Sequence, residues 1–213
     1  MTSRMLIIVD VQNDFTEGGA LGVDGGADVA RRITEHVRAA GEQYDTIVLT
    51  QDWHQPDSDN GGHISENPDF VDTWPPHCIV GTEGVQLHPL IADLAAELAG
   101  RTIGIDPGEL VRVRKGYGFP AYSALEGEEP DGFAFADRLR GTEQGAPDQV
   151  DVVGLAYDYC VRATALDARE ALGRRGTIRV LTDLTAPVHP DGVAELEKEL
   201  RSAGIELETS GAT

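Results

Sequence analysis

Short apolar runs alternate along this chain with stretches whose apolar residues recur every three or four positions. Met5-Leu6-Ile7-Ile8-Val9 is continuous, the pattern of a strand covered on both faces. Val29, Ile33, Val37 and Ala40 then mark one face of a helix that Gly41 closes. Thr46–Thr50 reads as a second strand. About residues 51 to 83 follow as a long polar stretch rich in Trp, His, Pro and Gly. Ile91, Leu94, Ala95 and Leu98 predict a helix opened by a His88-Pro89 cap and closed by Gly100. Strands are expected at Leu110–Arg114, Val150–Leu155 and Thr177–Leu181, with a helix at Val161–Leu172. A helix at Val193–Ala203 and a short strand at Ile205–Leu207 complete the chain. Strand, helix, strand is the signature of βαβ units. It predicts a three-layer α/β/α fold with a mainly parallel central sheet, Rossmann-like in its alternation.

The chain has 213 residues, enough for one domain over 1–213 with its own core, the polar stretch forming a loop within it. Lys and Arg number 17 against 37 Asp and Glu, a formal charge of −20. That surface repels phosphate backbones and anionic membranes, so neither nucleic acid nor membrane is an expected partner. No apolar run approaches the ~20 residues of a membrane span, and Met5–Val9 is too short for a signal-peptide core. Cys78 and Cys160 are too few for a disulfide framework. A reducing, cytoplasmic setting is expected.

In parallel sheets ligands bind beyond the carboxyl ends of the strands. The residues just after each strand are Asp10, then Asp52 and His54, then Lys115, then Cys160. Cys160 is expected at a helix mouth, where the dipole favours thiolate and covalent catalysis; the alternative is an inert buried cysteine, the reading given to Cys78. Lys115, one of only two lysines, would aim its ammonium into the cleft, or else be a solvated surface group. Asp10 ends an apolar strand, so its pKa should be raised and suit it to carrying protons, unless it only caps the next turn. Asp52, His54, His63 and His77 share one loop region. They offer one carboxylate and three imidazoles to a divalent transition ion, zinc above manganese or iron, or are scattered surface residues. His36 and His189 read as ordinary surface histidines.

Taken in order, these residues lie in Asp10-Val11-Gln12-Asn13-Asp14-Phe15, Asp52-Trp53-His54, Thr73-Trp74-Pro75-Pro76-His77-Cys78, Arg114-Lys115-Gly116 and Asp158-Tyr159-Cys160-Val161. As a set, the motifs resemble the nicotinamidase branch of the isochorismatase-like cysteine hydrolase superfamily. The resemblance runs from residue 6 to about 187. It implies hydrolysis of nicotinamide, and of pyrazinamide, to the acid and ammonia in NAD salvage. It further implies Cys160 as nucleophile, Asp10 as proton carrier and Lys115 as electrostatic partner, with the metal on Asp52, His54, His63 and His77 holding the pyridine nitrogen. Phe15, Trp74 and Tyr122 would line the ring pocket. The N–H groups of Ala156 and Cys160 would form an oxyanion hole beside a cis Leu155–Ala156 bond. The implied partner is a small molecule, and a homo-oligomer is compatible with it. Two positions depart from the pattern. His63 stands nine residues after His54, a wide spacing, and Tyr157 replaces an expected Thr, which narrows the pocket or changes the packing behind the oxyanion hole. Other small amides, and a metal-hydroxide mechanism with Cys160 as core, are the competing readings.

Overall fold

The computed structural model describes residues 2–100, 109–141 and 145–211. Six strands form one sheet: β1 (Arg4–Val9), β2 (Thr46–Asp52), β3 (Glu109–Lys115), β4 (Gln149–Leu155), β5 (Thr177–Ala186) and β6 (Glu206–Glu208). Their spatial order is β3-β2-β1-β4-β5-β6, and every neighbouring pair runs parallel. Among the described residues five α-helices cover the sheet: α1 (Gly26–Ala40), α2 (Pro89–Gly100), α3 (Phe135–Arg140), α4 (Arg162–Leu172) and α5 (Val193–Ser202).

The continuous apolar character of β1 has a direct cause. Leu6 and Ile8 point into a core shared with Ile33 and Val37 of α1 and Ile91 and Leu94 of α2. Met5, Ile7 and Val9 point the other way, into a core with Phe135, Leu139, Ala165, Leu172 and Leu200 of α3, α4 and α5. Alternate residues of a strand face opposite sides, so covering both sides leaves no polar position. Ile33 is fully buried, and truncating it to Ala would cost about 2–5 kcal/mol.

The sheet places the chemistry. Strand order reverses between β1 and β4, the switch point at which open α/β sheets leave a crevice. Asp10 follows β1 and Cys160 lies beyond β4, on the two sides of that crevice.

Boundaries differ from the expected ones in physically readable ways. Asp52 is the last residue of β2 rather than the start of the loop. β5 continues through the half-buried Thr182-Asp183 to Ala186, after a register shift against β4 between Val152 and Gly154. Six-residue α3 lacks the length that makes a periodicity visible; it is held by burial of Phe135, Ala136 and Leu139. His36 is half-buried and hydrogen-bonded to the Tyr44 hydroxyl at 3.0 Å, so it is more than a surface group.

Candidate active site and metal centre

Asp10 sits in the left-handed region at φ +45°, a conformation Asp tolerates better than most residues. Thr50 on β2 holds it from both ends: the Asp10 N–H donates to Thr50 Oγ1 (3.1 Å), and that hydroxyl donates to Asp10 Oδ1 (2.6 Å). The other oxygen, Oδ2, is buried 2.9 Å from Lys115 Nζ. Lys115 Nζ also pairs with Asp52 Oδ1, donates to the Ala121 carbonyl (3.2 Å) and lies 3.8 Å from Cys160 Sγ. Ligand atoms of Asp10, Asp52 and Cys160 all fall within 4.8 Å of one another, and all four side chains are buried.

One cation among two carboxylates and a thiol sets the protonation pattern. Burial raises the Asp10 carboxyl above the ordinary range, and the Asp52 charge adds to that against the pull of Lys115. Asp52 is also buried, but Lys115, His54 and His77 outweigh burial and hold it below that range. Burial works against the Lys115 charge, yet the two carboxylates keep it protonated, with a pKa well above the usual value. The cysteine departs from expectation. Its position is the expected one, in the opening turn of the helical stretch after β4: Cys160 is the fourth residue of a π-helical turn, Tyr157–Val161, that runs directly into α4, and the departure lies in its protonation. Burial pushes its thiol well above the usual value despite Lys115, so the resting group is S–H rather than the expected thiolate. A base must therefore take its proton, and Asp10 is the acceptor within reach.

His54, His63 and His77 bring their nitrogens within 4.8 Å of one another beside this cluster. The Gly116 carbonyl accepts from His54 Nδ1 at 2.8 Å, and the Pro75 carbonyl does the same for His77 Nδ1. Those bonds fix the tautomers and free both Nε2 lone pairs, each 3.8 Å from Asp52 Oδ2. His54 Nε2 and His63 Nδ1 are buried with no hydrogen-bond partner. Burial, then His77 and His54, lowers His63 to about 4, so it is neutral near pH 7. Three imidazoles, a carboxylate and orphaned nitrogens suit a divalent transition ion. The nine-residue gap between His54 and His63 is spanned without displacing His63 from the group.

Gly116 shows why this packing needs its residue types. Its φ is +84°, and a Cβ there would stand 2.8 Å from His54 Cε1.

A cavity of about 420 Å³ opens onto both clusters. Phe15, Trp74 and Tyr122 line it as expected, along with Asp52, His63, His77, Ala156 and Cys160. The Trp74 indole N–H donates to the Tyr122 hydroxyl at 2.9 Å, and the Leu155–Ala156 bond is cis. Tyr157 is absent from the lining. It is buried in the core on the α4 and α5 side, so the departure from Thr changes the packing behind the cavity rather than narrowing it. Cys78 is buried with a thiol pushed well up by burial, in keeping with an inert core residue. A larger cavity of about 560 Å³ lies beside Arg4, Thr46 and Glu109 at the opposite sheet edge; among the described residues neither candidate metal-binding group borders it.

Several contributors escaped the sequence reading. Gln12 clamps the backbone of Asp52, donating to its carbonyl (2.9 Å) and accepting from its N–H (2.8 Å). Buried Asn60 binds Gln55, Ser58 and Gly118, tying the histidine loop to the segment after Lys115. Tyr159, Phe70, Val188 and His189 complete the cavity wall; His189 is exposed, as expected, and in addition borders the cavity.

The isochorismatase domain family matches residues 4–101. The chain is 43% identical over 205 residues to the nicotinamidase/pyrazinamidase of Mycobacterium tuberculosis, covering 96% of this chain and 97% of that one. It superposes on PnC1 from L. infantum, solved in complex with nicotinate, with a TM-score of 0.73 and 31% identity over 99% of this chain and 94% of that one. Pyrazinamidase of Pyrococcus horikoshii, solved in complex with zinc, gives 0.70 and 28% over 97% and 99%.

Proposed function

Since the chain belongs to the nicotinamidase family of isochorismatase-domain hydrolases, we propose that it hydrolyses nicotinamide to nicotinate and ammonia, a step of NAD salvage, and accepts pyrazinamide as well. The observation that carries the chemistry is the juxtaposition of buried Asp10 and Lys115 with Cys160, which itself lines a cavity walled by Phe15, Trp74 and Tyr122.

The reaction follows from the resting protonation states. Asp10 Oδ2 takes the thiol proton as Cys160 Sγ attacks the carboxamide carbon, and Lys115 stabilises the sulfur anion as it forms. The N–H groups of Ala156 and Cys160 receive the oxyanion, a contribution of about 3 kcal/mol per donor. Asp10 returns the proton to the leaving nitrogen, ammonia departs, and a thioester remains on Cys160. A water then gives its proton to Asp10 and attacks the thioester carbonyl. Nicotinate leaves, and the sulfur regains its proton. The raised pKa of Asp10 suits a group that must accept and release a proton within one cycle.

Asp52, His54, His63 and His77 are the residues that would hold a divalent ion, for which we assign zinc. When bound, it supplies a Lewis-acid anchor for the ring nitrogen. Phe15, Trp74 and Tyr122 sandwich and orient the ring, and Gln12 keeps Asp52 in place. Among the described residues no helix is long and apolar enough to cross a membrane; a cytoplasmic location, where the Cys160 thiol stays reduced, fits the proposal.

Ammonia release from nicotinamide by wild type and Cys160→Ala tests it. Loss of turnover in a folded variant that keeps its metal supports the thiol mechanism; near-normal turnover would favour a metal-hydroxide route instead.

A further inference from the structure

The chain between β5 and α5 reads Pro187-Val188-His189-Pro190. Proline has no backbone N–H, so Val188 and His189 hold the only main-chain donors of this segment. Both are spent on one carboxylate: the Val188 N–H donates to Asp158 Oδ1 (2.9 Å) and the His189 N–H to Asp158 Oδ2 (2.8 Å). Asp158 stands two residues before Cys160, in the turn that carries the nucleophile. A third tie joins the same two segments, since the Tyr159 hydroxyl and His189 Nε2 are 3.0 Å apart in hydrogen-bond contact.

The strap fastened in this way forms an exposed part of the cavity wall, to which Val188, His189 and Tyr159 contribute along with Cys160. The Tyr159 ring also meets Trp74 edge-on at 5.2 Å and stacks on Tyr122 at 6.3 Å. Fixing Tyr159 therefore fixes the ring-binding side as well. The mechanism above uses none of Asp158, Val188 or His189. Three bonds to a four-residue segment stiffened by two prolines are a strong constraint for a loop that does no chemistry.

We infer that Asp158 is a positioning residue for this strap, and that the Tyr159–His189 pair it holds is a selectivity wall limiting the size of aromatic carboxamide admitted. The inference rests on the nicotinamidase reading of the same site. Its physical basis is that an apolar pocket rejects a larger ring only if its walls cannot yield. The cavity, at about 420 Å³, falls in the range that holds drug-sized ligands, so a fixed wall is what excludes a second ring. The two charge-assisted bonds from Asp158 give the wall its stiffness.

Steady-state kinetics of wild type, Asp158→Ala and His189→Ala on nicotinamide and on quinoline-3-carboxamide test this. Both variants should raise KM for nicotinamide by about tenfold while kcat falls by less. Both should also raise the quinoline-to-nicotinamide ratio of kcat/KM by about tenfold or more, at unchanged metal content. Asp158→Asn, which keeps one acceptor oxygen, should fall between Asp158→Ala and wild type. His189→Ala leaves the two main-chain bonds in place, so it carries the test even if Asp158→Ala fails to fold. An unchanged ratio in a folded, nicotinamide-active variant overturns the wall; a kcat loss at constant KM overturns it equally by moving the role to the chemical step. A wild type inactive on nicotinamide overturns the underlying reading, and the wall with it.

Discussion

Replacing Lys115 with Met removes the ammonium that, among the described residues, touches Asp10, Asp52 and Cys160 together, while keeping most of the side-chain volume. Two carboxylates with oxygens within 4.8 Å then face each other without the ammonium between them. At an effective dielectric constant of about 20, their repulsion at that distance is about 3.5 kcal/mol. Breaking a buried ion pair from one side costs about 3–5 kcal/mol by comparison with other proteins, which agrees with that figure. The cheapest relief is protonation of Asp10, the carboxyl that burial already favours in its neutral form. A neutral Asp10 cannot accept the thiol proton, so kcat/KM at neutral pH should fall by at least about a hundredfold. The sign is specific. In wild type the acid limb of the kcat/KM profile reports ionisation of Asp10 and lies above the ordinary carboxylate range; in the variant that limb moves to still higher pH. Alkylation of Cys160 at neutral pH should slow in parallel. The assays are ammonia release across a pH series and iodoacetamide labelling followed by peptide mass spectrometry, on protein shown to be folded by circular dichroism. A folded variant with its acid limb unmoved and its alkylation rate unchanged would refute the reasoning.

Other outcomes follow from the same coordinates. The Tyr157 hydroxyl is buried without a hydrogen-bond partner, and burial raises it to about 12, so Tyr157→Phe should stabilise by about 1–2 kcal/mol; a lower Tm would contradict this. Chelation should abolish tight substrate binding yet leave far-ultraviolet circular dichroism intact, because the two cores do not include the metal ligands; unfolding on chelation would show otherwise. His63→Ala should lower metal occupancy by elemental analysis, and full occupancy would remove His63 from the ligand set. In metal-free protein, His63 binds its proton only near about 4, whereas the unfolded chain binds it near 6.5. Stability should therefore fall as pH drops through that window, and a flat urea midpoint across it would contradict the assignment.

Much of the sheet was legible because its strands are covered on both faces. Met5–Val9 and Val150–Leu155 carry no alternation, and that alone marks buried parallel strands. The rim residues were legible for a related reason: Asp10, Asp52 and Lys115 stand at or just past the carboxyl ends of β1, β2 and β3, and Cys160 follows β4, at the edge where such sheets bind ligands. Depth of burial is what local sequence does not encode. Cys160 reads as a thiolate at a helix mouth, and its burial, which outweighs the pull of Lys115, raises the thiol well above its usual value instead. Gln12, Thr50 and Asn60 look like surface polars in the linear pattern; only tertiary contacts turn them into clamps on Asp52, Asp10 and the histidine loop. His189 was passed over because its partner, Asp158, is 31 residues away.

The central claim is that sulfur becomes acylated by the substrate carbonyl. Intact-chain mass spectrometry of wild type quenched in acid during turnover of nicotinamide reads this directly. A mass increase equal to one nicotinoyl group, mapped to Cys160 and absent from Cys160→Ala, is the expected result. Full turnover with no adduct, under quench conditions shown to preserve a thioester, would contradict it.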